Sequence, residues 1–485
     1  MLKRRDVIKL GAVTGAVVAL PLEKVAATVF GPSWSAAAFS RPLPVPTPMR
    51  PSRLRLDRDV YDLTVDKSTA EIVPGVRTPI LSYNGTFPGP MIVAKRNRLV
   101  QVNVHNRLAA DTAVHLHGGN TPQASDGHPL DVIKPGASRT YLYPNRQPAA
   151  TLWYHDHAHH MEAEQVYRGL SGLYIVEDAA SRFRLPSGKH DIPLMFRDVN
   201  LGADGTMTWE LFGQPNRSTV LVNGVAQPHL TVQRRRYRLR LLNCSNERAM
   251  RFTLGNGASF LQVASDGGFL PRPVSRTEVV LWPAERAEVV VDFAPFKAGT
   301  QIMLENADGE VDTAKQLLRF DIADNRADGF PNSTDLFNAD TSYVPATLVP
   351  APADRKPTVT RKVVLSFDAA NGVFLINGKQ FDPERVDFTV KRGSTELWEI
   401  TNTDTQFQIP HSLHLHLIQF KVLDRDGVRV PEWETYPKDT VRVPPGSTVR
   451  ILATFDSEYT GVYPFHCHFV DHSSVAMMAQ MRIVP

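Results

Sequence analysis

Cysteine is nearly absent from this sequence, and so is a surplus of either charge sign. The 485 residues include only Cys244 and Cys467, which are too few to form a disulfide framework for a chain of this length. The sequence has 54 Lys and Arg against 50 Asp and Glu. Residues 1–40 hold five of these basic residues and two of the acidic ones, which leaves 49 against 48 in the rest of the chain. A nucleic-acid-binding protein keeps a clustered basic excess, so the near balance that remains excludes nucleic acid as a partner.

Long apolar runs and helical periodicity are also scarce. No stretch reaches 18 consecutive apolar residues, so we expect no stable insertion into a membrane once the leader is removed. Glycine (30 residues) and proline (37 residues) are frequent and bound short strand-like segments. Cys244 lies in one such apolar segment and is predicted to be a small buried hydrophobic residue.

Residues 1–40 have the pattern of an export signal. A basic segment at residues 3–9 precedes an apolar run of 11 residues, Leu10–Leu20, which is too short to span a membrane as a helix. The paired Arg4 and Arg5 favour the twin-arginine pathway, which transports folded proteins, over an ordinary secretory signal or an uncleaved anchor. We therefore predict a periplasmic, cell-surface or extracellular protein.

Regularly spaced strand patterns predict an all-β protein built of β-sandwiches or barrels. Clear examples are Leu99–Val104, Tyr237–Leu242, Glu288–Asp292, Glu396–Ile400 and Val449–Phe455. Length alone suggests about three domains of roughly 150 residues each. We predict three β-sandwich domains and an Asp-, Asn- and Pro-rich connector before the last one: residues 41–178, 190–324 and 358–485, with the connector at 325–357.

An internal repeat supports three related domains. Pro135–Tyr141 resembles Pro445–Ile451, and Pro283–Val289 is a weaker third copy. A strand pattern that ends in asparagine precedes each of these copies, at Asn106, Asn402 and Asn243 respectively. His155 lies 20 residues after Pro135, and His466 lies 21 residues after Pro445. No histidine occupies the corresponding position after the weaker copy, Pro283–Val289. We therefore expect the outer domains to carry the chemistry and the middle domain to carry none.

Pairs of the form His-x-His distinguish the outer domains. Sixteen histidines would give about half such a pair by chance, yet five occur, and four lie in strand-like sequence. These four are His115 and His117, His155 and His157, His414 and His416, and His466 and His468. Residues i and i+2 of a strand point to the same face, so each pair presents two imidazoles side by side. One such pair is often a satisfied core or surface feature, but eight imidazoles suit a cluster of three copper ions.

The segment His466-Cys467-His468 predicts a second kind of metal site. Cys467 points to the strand face opposite its two neighbours. A thiolate, two imidazoles and a weak axial thioether are the ligands of a blue-copper site, and we assign these roles to Cys467, His411, His472 and Met477. An electron that arrives at Cys467 can pass through a few covalent bonds to His466 or His468 in the cluster. We therefore predict that these three consecutive residues are catalytic.

Four segments resemble the copper signatures of the multicopper oxidase family. They are His-Leu-His-Gly at 115–118, Trp-Tyr-His-Asp-His at 153–157, His-Ser-Leu-His-Leu-His at 411–416, and the segment at 466–477. The resemblance covers nearly the whole chain after the leader and is strongest to the three-domain bacterial branch of spore-coat laccases, bilirubin oxidases and phenoxazinone synthases. It implies three cupredoxin-like Greek-key domains. Ser412 stands where this branch often has proline, and we expect little effect on ligation.

The resemblance also implies four copper ions per chain and a role for each ligand. One type 1 copper would be held by His411, Cys467 and His472, with Met477 axial. One type 2 copper would be held by His115 and His414. The two type 3 copper ions would be held by His117, His155, His157, His416, His466 and His468. Because each outer domain supplies four histidines, we expect the cluster to lie at their interface.

Two acids are predicted to deliver the protons that dioxygen reduction consumes. Asp126 follows the first histidine pair by nine residues, where the family keeps an acid near the type 2 copper. Asp471 directly precedes His472, where relatives often have glutamate. A solvated loop aspartate is the alternative reading of each. The histidines that no motif claims are predicted to be surface or supporting residues: His105, His128, His159, His160, His190 and His229.

Together these features predict a laccase-like enzyme that couples one-electron oxidation of a small aromatic reducing substrate, such as a phenol or aminophenol, to reduction of dioxygen to water. The donor would dock at the exposed edge of His472. A cuprous-ion oxidase for copper tolerance is one alternative, but such enzymes typically carry a Met-rich insert, and the 11 methionines here are scattered. A copper-free structural or assembly protein is disfavoured because every ligand position is filled. A simple electron carrier would not need four histidine pairs.

Overall fold

The computed structural model describes residues 37–178, 185–202, 204–323, 347–349 and 355–485. Within these ranges the chain forms six β-sheets and only short helices, which confirms the all-β prediction. The predicted leader lies almost entirely outside the described residues, as does most of the predicted connector. None of the described helices is long and apolar enough to span a membrane.

The first two sheets are built from residues 53–177. In chain order their strands are β1 (Arg53–Leu54), β2 (Arg58–Ala70), β3 (Thr78–Tyr83), β4 (Gly89–Lys95), β5 (Leu99–Asn106), β6 (Val114–His117), β7 (Ser138–Tyr143), β8 (Ala150–Asp156) and β9 (Ser171–Glu177). One sheet has the order β1-β2-β5-β7 with β3 paired to β2, and the other has the order β4-β9-β8-β6. Helix α1 (Glu162–Arg168) connects β8 to β9. The two histidine pairs of this region therefore lie on neighbouring strands, β6 and β8.

The next two sheets are built from residues 191–322. Their strands are β10 (Asp191–Val199), β11 (Thr219–Val222), β12 (Val225–Ala226), β13 (His229–Val232), β14 (Arg236–Asn243), β15 (Met250–Leu254), β16 (Phe260–Ser265), β17 (Gly268–Arg276), β18 (Glu278–Leu281), β19 (Arg286–Asp292), β20 (Gln301–Asn306) and β21 (Gln316–Ile322). The sheet orders are β12-β11-β10-β14-β19-β16-β17 and β13-β21-β20-β15-β18. Helix α2 (Asp312–Lys315) precedes β21.

The last two sheets are built from residues 359–484. Their strands are β22 (Val359–Asp368), β23 (Val373–Ile376), β24 (Phe388–Lys391), β25 (Thr395–Asn402), β26 (His411–Leu415), β27 (Phe420–Arg425), β28 (Val428–Arg429), β29 (Thr440–Val443), β30 (Thr448–Thr454), β31 (Gly461–Cys467) and β32 (Met478–Val484). The sheet orders are β23-β22-β25-β30-β27-β28 and β24-β32-β31-β26-β29. Helices α3 (Glu432–Thr435) and α4 (Val470–Ser474) lie in the connections.

Each pair of sheets encloses its own apolar core. In β5, Val100, Val102 and Val104 are buried while the residues between them are partly exposed, because side chains alternate between the two faces of a strand. These valines share a core with Leu116 and Tyr154 of the facing sheet. Equivalent cores fill the second and third pairs of sheets. The strands of each pair therefore form a sandwich.

The internal repeat corresponds to one local structure that occurs three times. Each copy begins a strand that pairs antiparallel with the strand ending in asparagine, as β7 with β5, β19 with β14 and β30 with β25. The side-chain amide of Asn106 donates to the carbonyls of Ala110 and Ile133. Asn243 and Asn402 make the same pair of contacts in their own sandwiches. A buried asparagine thus satisfies loop carbonyls at the same point of all three sandwiches.

Candidate metal centre

Cys467 lies between two imidazoles in the third sandwich. Its Sγ is 3.6 Å from Nδ1 of His411 and 3.6 Å from Nδ1 of His472. The two Nδ1 atoms are themselves 3.1 Å apart. All three side chains are buried, so the sulfur and two nitrogens face one small enclosed volume. We refer to these three residues as the thiolate group.

Strand and helix ends position the thiolate group. His411 is the first residue of β26, Cys467 is the last residue of β31, and His472 lies in α4. The carboxylate of Asp404 is 2.6 Å from Nε2 of His411 and so holds Nδ1 toward the sulfur. Met477 is fully buried, and its carbonyl accepts a hydrogen bond from the backbone N–H of Cys467 at 3.2 Å. The structure therefore brings three of the four predicted residues together and places the backbone of Met477 next to Cys467.

The protonation states favoured by burial suit a cation at the thiolate group. Burial lowers the pKa of His472 well below its usual range and also lowers that of His411. Burial raises the pKa of the Cys467 thiol to about 12. Neutral imidazoles have free lone pairs, and a thiol this deeply buried becomes a thiolate only next to a strong positive charge. The donor set therefore fits a soft metal ion.

The four histidine pairs converge where the first and third sandwiches meet. In the first sandwich, His115 lies directly opposite His155 across β6 and β8. In the third, His414 lies directly opposite His466 across β26 and β31. All eight pair histidines are at most 1% exposed. We refer to them as the eight-histidine group: His115, His117, His155, His157, His414, His416, His466 and His468.

The closest ring nitrogens bring His157, His416 and His466 together in one set and His117 and His468 in a second set. The sets are not isolated, because His115 stacks on His416 at a centroid distance of 3.8 Å and His117 stacks on His414 at 3.7 Å. Nε2 of His466 is 3.3 Å from Nε2 of His157 and 3.2 Å from Nε2 of His416. Nδ1 of His117 is 3.1 Å from Nε2 of His468, and the His155 ring centroid is 5.3 Å from that of His468. The rings of His115 and His414 lie 5.7 Å apart beside both sets. Ring nitrogens this close to one another share either a proton or a bound metal ion.

In several of the rings, the other nitrogen has a protein partner that orients the ring. Nδ1 lies 2.6–2.9 Å from a backbone carbonyl oxygen in four of the rings: His115, His155, His414 and His466. The buried Nε2 atoms of His115, His155 and His414 have no hydrogen-bond partner among the described residues. An orphaned buried nitrogen normally destabilises a fold, but here each points into the shared volume. The arrangement fits metal ligation.

Burial and mutual repulsion keep most of these rings neutral. Burial lowers the pKa of His155 to about 3 and that of His466 to about 4. It lowers the pKa well below the usual range in a further set of rings: His115, His117, His414, His416 and His468. His157 is the exception, because the carboxylate of Glu162 raises its pKa against the effect of burial. Neutral imidazole is the form that binds metals.

Asp126 lies at the eight-histidine group, as predicted for a proton carrier. Its Oδ2 is 2.8 Å from Nδ1 of His416, and its carbonyl oxygen is 2.6 Å from Nδ1 of His115. The carboxyl group is buried, and burial raises its pKa to about 7. A carboxyl with a pKa in this range can both hold and release a proton near neutral pH.

The carboxylate of Asp471, the other predicted proton carrier, points away from the eight-histidine group. Arg217 forms an ion pair with it at 2.9 Å, and Asn246 donates to its other oxygen at 2.7 Å. The backbone N–H of Phe212 donates to it at 2.8 Å. Three donors from the middle sandwich therefore occupy this carboxylate, which favours an anchoring role for Asp471 over proton delivery.

The middle sandwich supplies no histidine pair, but it contributes a buried arginine beside the eight-histidine group. Both terminal nitrogens of Arg286 donate to the carboxylate of Asp439 at 2.7 Å. Oδ1 of Asp439 is in turn 3.0 Å from Nε2 of His117, and its carbonyl oxygen is 2.8 Å from Nδ1 of His414. Neither residue was predicted from the sequence, although Arg286 lies in the weak copy of the repeat, Pro283–Val289.

Two acids close to ligand histidines were not predicted from the sequence either. Glu162 is 2.9 Å from Nδ1 of His157, and Asp404 is 2.6 Å from Nε2 of His411. A search for acids within seven residues of a motif histidine would have found both, because they follow or precede their partner by five and seven positions. Such a search would also have found Asp471, so proximity in sequence alone does not identify a contact.

The edge of His472 is not exposed, contrary to the prediction. The residue is 4% exposed, because the Phe374 ring stacks on the imidazole at a centroid distance of 4.0 Å and an angle of 17°. Phe212, which is 40% exposed, lies 6.1 Å from the same ring. Oε1 of the partly buried Glu247 is 3.6 Å from Nε2 of His472. A donor therefore meets an aromatic cover with an adjacent carboxyl group before it meets the imidazole.

The histidines that no motif claims lie outside both groups. His128 contacts Gln480, and His160 contacts the carbonyl of Ser474. His105 contacts Ser138 on the opposite strand, and His229 contacts the carbonyl of Phe39. These four contacts support loops and strands. The thiolate group and the eight-histidine group together fit a protein that binds several redox-active metal ions.

Known proteins share this fold and these sites. Two multicopper oxidase domain profiles match residues 64–181 and 352–485. The laccase of Bacillus subtilis (strain 168) is 33% identical over 92% of this chain and 98% of that protein. The bilirubin oxidase of Albifimbria verrucaria is 33% identical over 91% of this chain and 80% of that protein. The crystal structure of a laccase from Pediococcus acidilactici superposes with a TM-score of 0.82 at 30% identity, covering 93% of this chain and 95% of that one.

The chain belongs to the multicopper oxidase family. It is a copper-dependent oxidoreductase that uses dioxygen as its acceptor, and its sandwiches are cupredoxin-like. The resemblance noted in the sequence is thereby confirmed.

Proposed function

We propose that this chain is a laccase-like oxidase that takes single electrons from small aromatic donors and reduces dioxygen to water with four of them. One observation carries the proposal: the thiolate group and the eight-histidine group are joined by the consecutive residues His466, Cys467 and His468. Two sites of this kind suit an enzyme that receives electrons one at a time and then uses several of them in one reaction. An electron carrier would need only the first site.

We propose four copper ions per chain. His411, Cys467 and His472 would hold the type 1 copper, with Met477 as the axial ligand. The contacts support a type 2 copper at His115 and His414 and a type 3 pair at the two sets of three: His117, His155 and His468, and His157, His416 and His466. When bound, copper supplies the one-electron redox chemistry and the site of dioxygen reduction.

The protein's own residues would provide the route and the geometry for these steps. Cys467 continues through its own backbone into His466 and His468, so an electron crosses between the groups through a short covalent path. Asp126 holds a proton on a buried carboxyl group beside His416, which suits it to deliver protons to the eight-histidine group. Asp439 and Arg286 fix the orientation of His117.

Aromatic donors are the substrate class that the surroundings of His472 favour. The exposed Phe212 would offer an apolar face on which an aromatic ring can stack, beside the buried Phe374 that covers His472. Relatives of this chain include proteins named laccase and bilirubin oxidase, in line with an aromatic donor. Cuprous-ion oxidation is the alternative, and the Glu247 carboxyl near His472 is the observation in its favour. We give the aromatic donor precedence because the methionines that follow His472, at 477, 478 and 481, are fully buried and so offer no exposed thioether, the ligand that suits cuprous ion.

Oxygen consumption by the copper-loaded protein tests the proposed function. A panel of phenols, aminophenols, bilirubin and cuprous ion should support oxygen uptake for the aromatic donors, with four copper ions per chain by metal analysis. Replacing Cys467 with serine should abolish the blue thiolate-to-copper absorption band and donor-driven uptake while most of the copper remains bound. If no donor in the panel supports uptake by the copper-loaded wild-type protein, the proposed function is wrong.

We further propose three cupredoxin-like units at residues 41–178, 190–324 and 358–485. The repeated contacts of Asn106, Asn243 and Asn402 support this division. We also propose export of the chain by the twin-arginine pathway. Replacing Arg4 and Arg5 with lysine should retain the protein inside the cell, and unchanged export would contradict that pathway.

A further inference from the structure

Glu162 is a buried carboxylate beside the eight-histidine group. It is 1% exposed, begins α1, and places Oε2 at 2.9 Å from Nδ1 of His157. Its other oxygen, Oε1, is buried and has no hydrogen-bond partner among the described residues. Nε2 of His157 faces His466, so the carboxyl group of Glu162 contacts the ring nitrogen that points away from that neighbour.

This carboxylate has little structural reason to be buried. Within the described part of the chain, its only ion-pair partner is His157, a ring that would otherwise be neutral in so buried a position. Burying a carboxylate destabilises a fold unless a cation and hydrogen bonds compensate for lost hydration. By contrast, Asp471 and Asp439 are both compensated by arginines, Arg217 and Arg286. Among the described residues, the contact with His157 takes the place that an arginine has for those two acids.

The surrounding helices hold Glu162 in this position. Ala163 and Val166 of α1 pack against Val470 of α4, the helix that also carries His472. The amide of Asn246 in the middle sandwich donates to the carbonyl of Ala163 at 2.9 Å. The backbone that carries Glu162 is thus fixed from two sides, and its carboxylate approaches His157 from a preorganised direction.

His157 differs in this respect from the rings whose Nδ1 faces a carbonyl. A carbonyl dipole fixes the tautomer of an imidazole, whereas a carboxylate both fixes it and makes the opposite nitrogen a stronger electron donor. Two other rings contact a carboxyl oxygen at 3.0 Å or less: His416 contacts Asp126 and His117 contacts Asp439. In the set formed by His157, His416 and His466, two of the three rings therefore have a carboxyl group as a partner.

We propose that Glu162 is a positioning residue that directs Nε2 of His157 into the set with His416 and His466 and strengthens binding of one copper ion of the type 3 pair there. The inference rests on the proposed function, because it takes the eight-histidine group as the copper cluster. Glu162 touches the ligand, not the substrate, so its effect reaches the reaction only through His157.

Copper binding by two variants of Glu162 tests this inference. Glu162→Ala removes the carboxylate, and Glu162→Gln keeps a hydrogen-bond acceptor of nearly the same shape without the charge. The matched control is Glu164→Gln on the same helix, where the carboxylate is 47% exposed and pairs with Arg168. The measurements are copper ions per chain, copper affinity in competition with a chelator, and the electron paramagnetic resonance spectrum of the oxidised protein.

Loss of an orienting partner of a metal ligand weakens metal binding about 10–100-fold. We expect that loss for one of the copper ions in Glu162→Ala, a smaller loss in Glu162→Gln, and none in Glu164→Gln. An intact coupled pair gives no paramagnetic resonance signal, so loss of one member should reveal a new cupric signal while the blue band of the thiolate group remains. Where the alanine variant fails to fold, the glutamine variant alone decides.

Two outcomes separate this inference from the proposed function. If the wild-type protein binds no set of four copper ions, the proposed function fails and the inference fails with it. If the wild-type protein binds four and consumes oxygen, but both Glu162 variants bind copper with wild-type affinity and show no new resonance signal, only the role of Glu162 is overturned.

Discussion

Replacing Arg286 with methionine should destabilise the fold and weaken copper binding together. The guanidinium is fully buried and donates to both oxygens of Asp439 at 2.7 Å, to the carbonyl of Asp266 at 2.8 Å and to that of Thr151 at 3.0 Å. Gly118 leaves room for it, since a Cβ there would meet a terminal nitrogen of Arg286 at 2.7 Å. Methionine keeps an apolar chain but removes every one of these donors.

The expected magnitude follows from leaving Asp439 without its cation. Removing one partner of a buried ion pair typically costs about 3–5 kcal/mol, a large part of the roughly 5–15 kcal/mol that stabilises a folded domain. Oδ1 of Asp439 also orients His117 from 3.0 Å. We therefore expect copper affinity to fall about 10–100-fold as well, even under conditions where the variant remains folded.

Urea unfolding of the copper-free protein and copper competition with a chelator measure the two effects. Arg146→Met is the control, because Arg146 pairs with Glu458 at the surface, where the two side chains are 61% and 46% exposed. A surface pair of this kind contributes about 1 kcal/mol or less. Equal changes in unfolding free energy for the two variants, or wild-type copper affinity in Arg286→Met, would refute the reasoning.

Three further predictions concern other parts of the site and the fold. Phe374→Ala should uncover His472 and lower KM for bulky aromatic donors; an unchanged KM in steady-state assays would exclude a covering role. Asp126→Asn should slow dioxygen reduction while the blue band still bleaches on addition of donor in stopped-flow experiments, and unchanged turnover would remove Asp126 from the mechanism. Glu288 is buried, which would raise its pKa, but Arg238 and Arg240 lower it from 4.5 to about 2. The ionised Glu288 therefore stabilises the fold above about pH 4.5, and this stabilisation is lost as the pH falls through about 2. Glu288→Gln should be less stable than wild type at neutral pH, and the difference should shrink in acid. A pH-independent difference in urea midpoints would contradict this.

Local periodicity explains why the ligand pairs were predictable. His115 and His117 lie two positions apart on one strand, and strand geometry alone places their rings on one face. The same holds for Cys467, whose neighbours lie on the opposite face. The repeat around Asn106, Asn243 and Asn402 was visible for a similar reason, because each copy combines a strand end with the strand that pairs with it. These features need only contacts between residues near in sequence or in adjacent strands.

Contacts between distant side chains explain what was not predictable. Arg286 and Asp439 are 153 residues apart, and no spacing rule links them. Asp471 has a motif position next to His472, but its carboxylate direction is set by Arg217, 254 residues away. The stacking of Phe374 on His472 likewise depends on how β23 packs against α4 in the folded sandwich. Sequence spacing therefore identifies ligands, while the surrounding shell requires the tertiary structure.

The middle sandwich has a larger part in the chemistry than its lack of ligands indicates. It places one buried arginine beside each metal group: Arg286 holds Asp439 next to the eight-histidine group, and Arg217 holds Asp471 next to the thiolate group. Both acids belong to the third sandwich, and a buried acid keeps its charge only with such a partner. Because His117 of the first sandwich is oriented through Asp439, the middle sandwich connects the two ligand-bearing ones electrostatically. The prediction that it carries no chemistry holds for ligands but not for the charges that set their orientation.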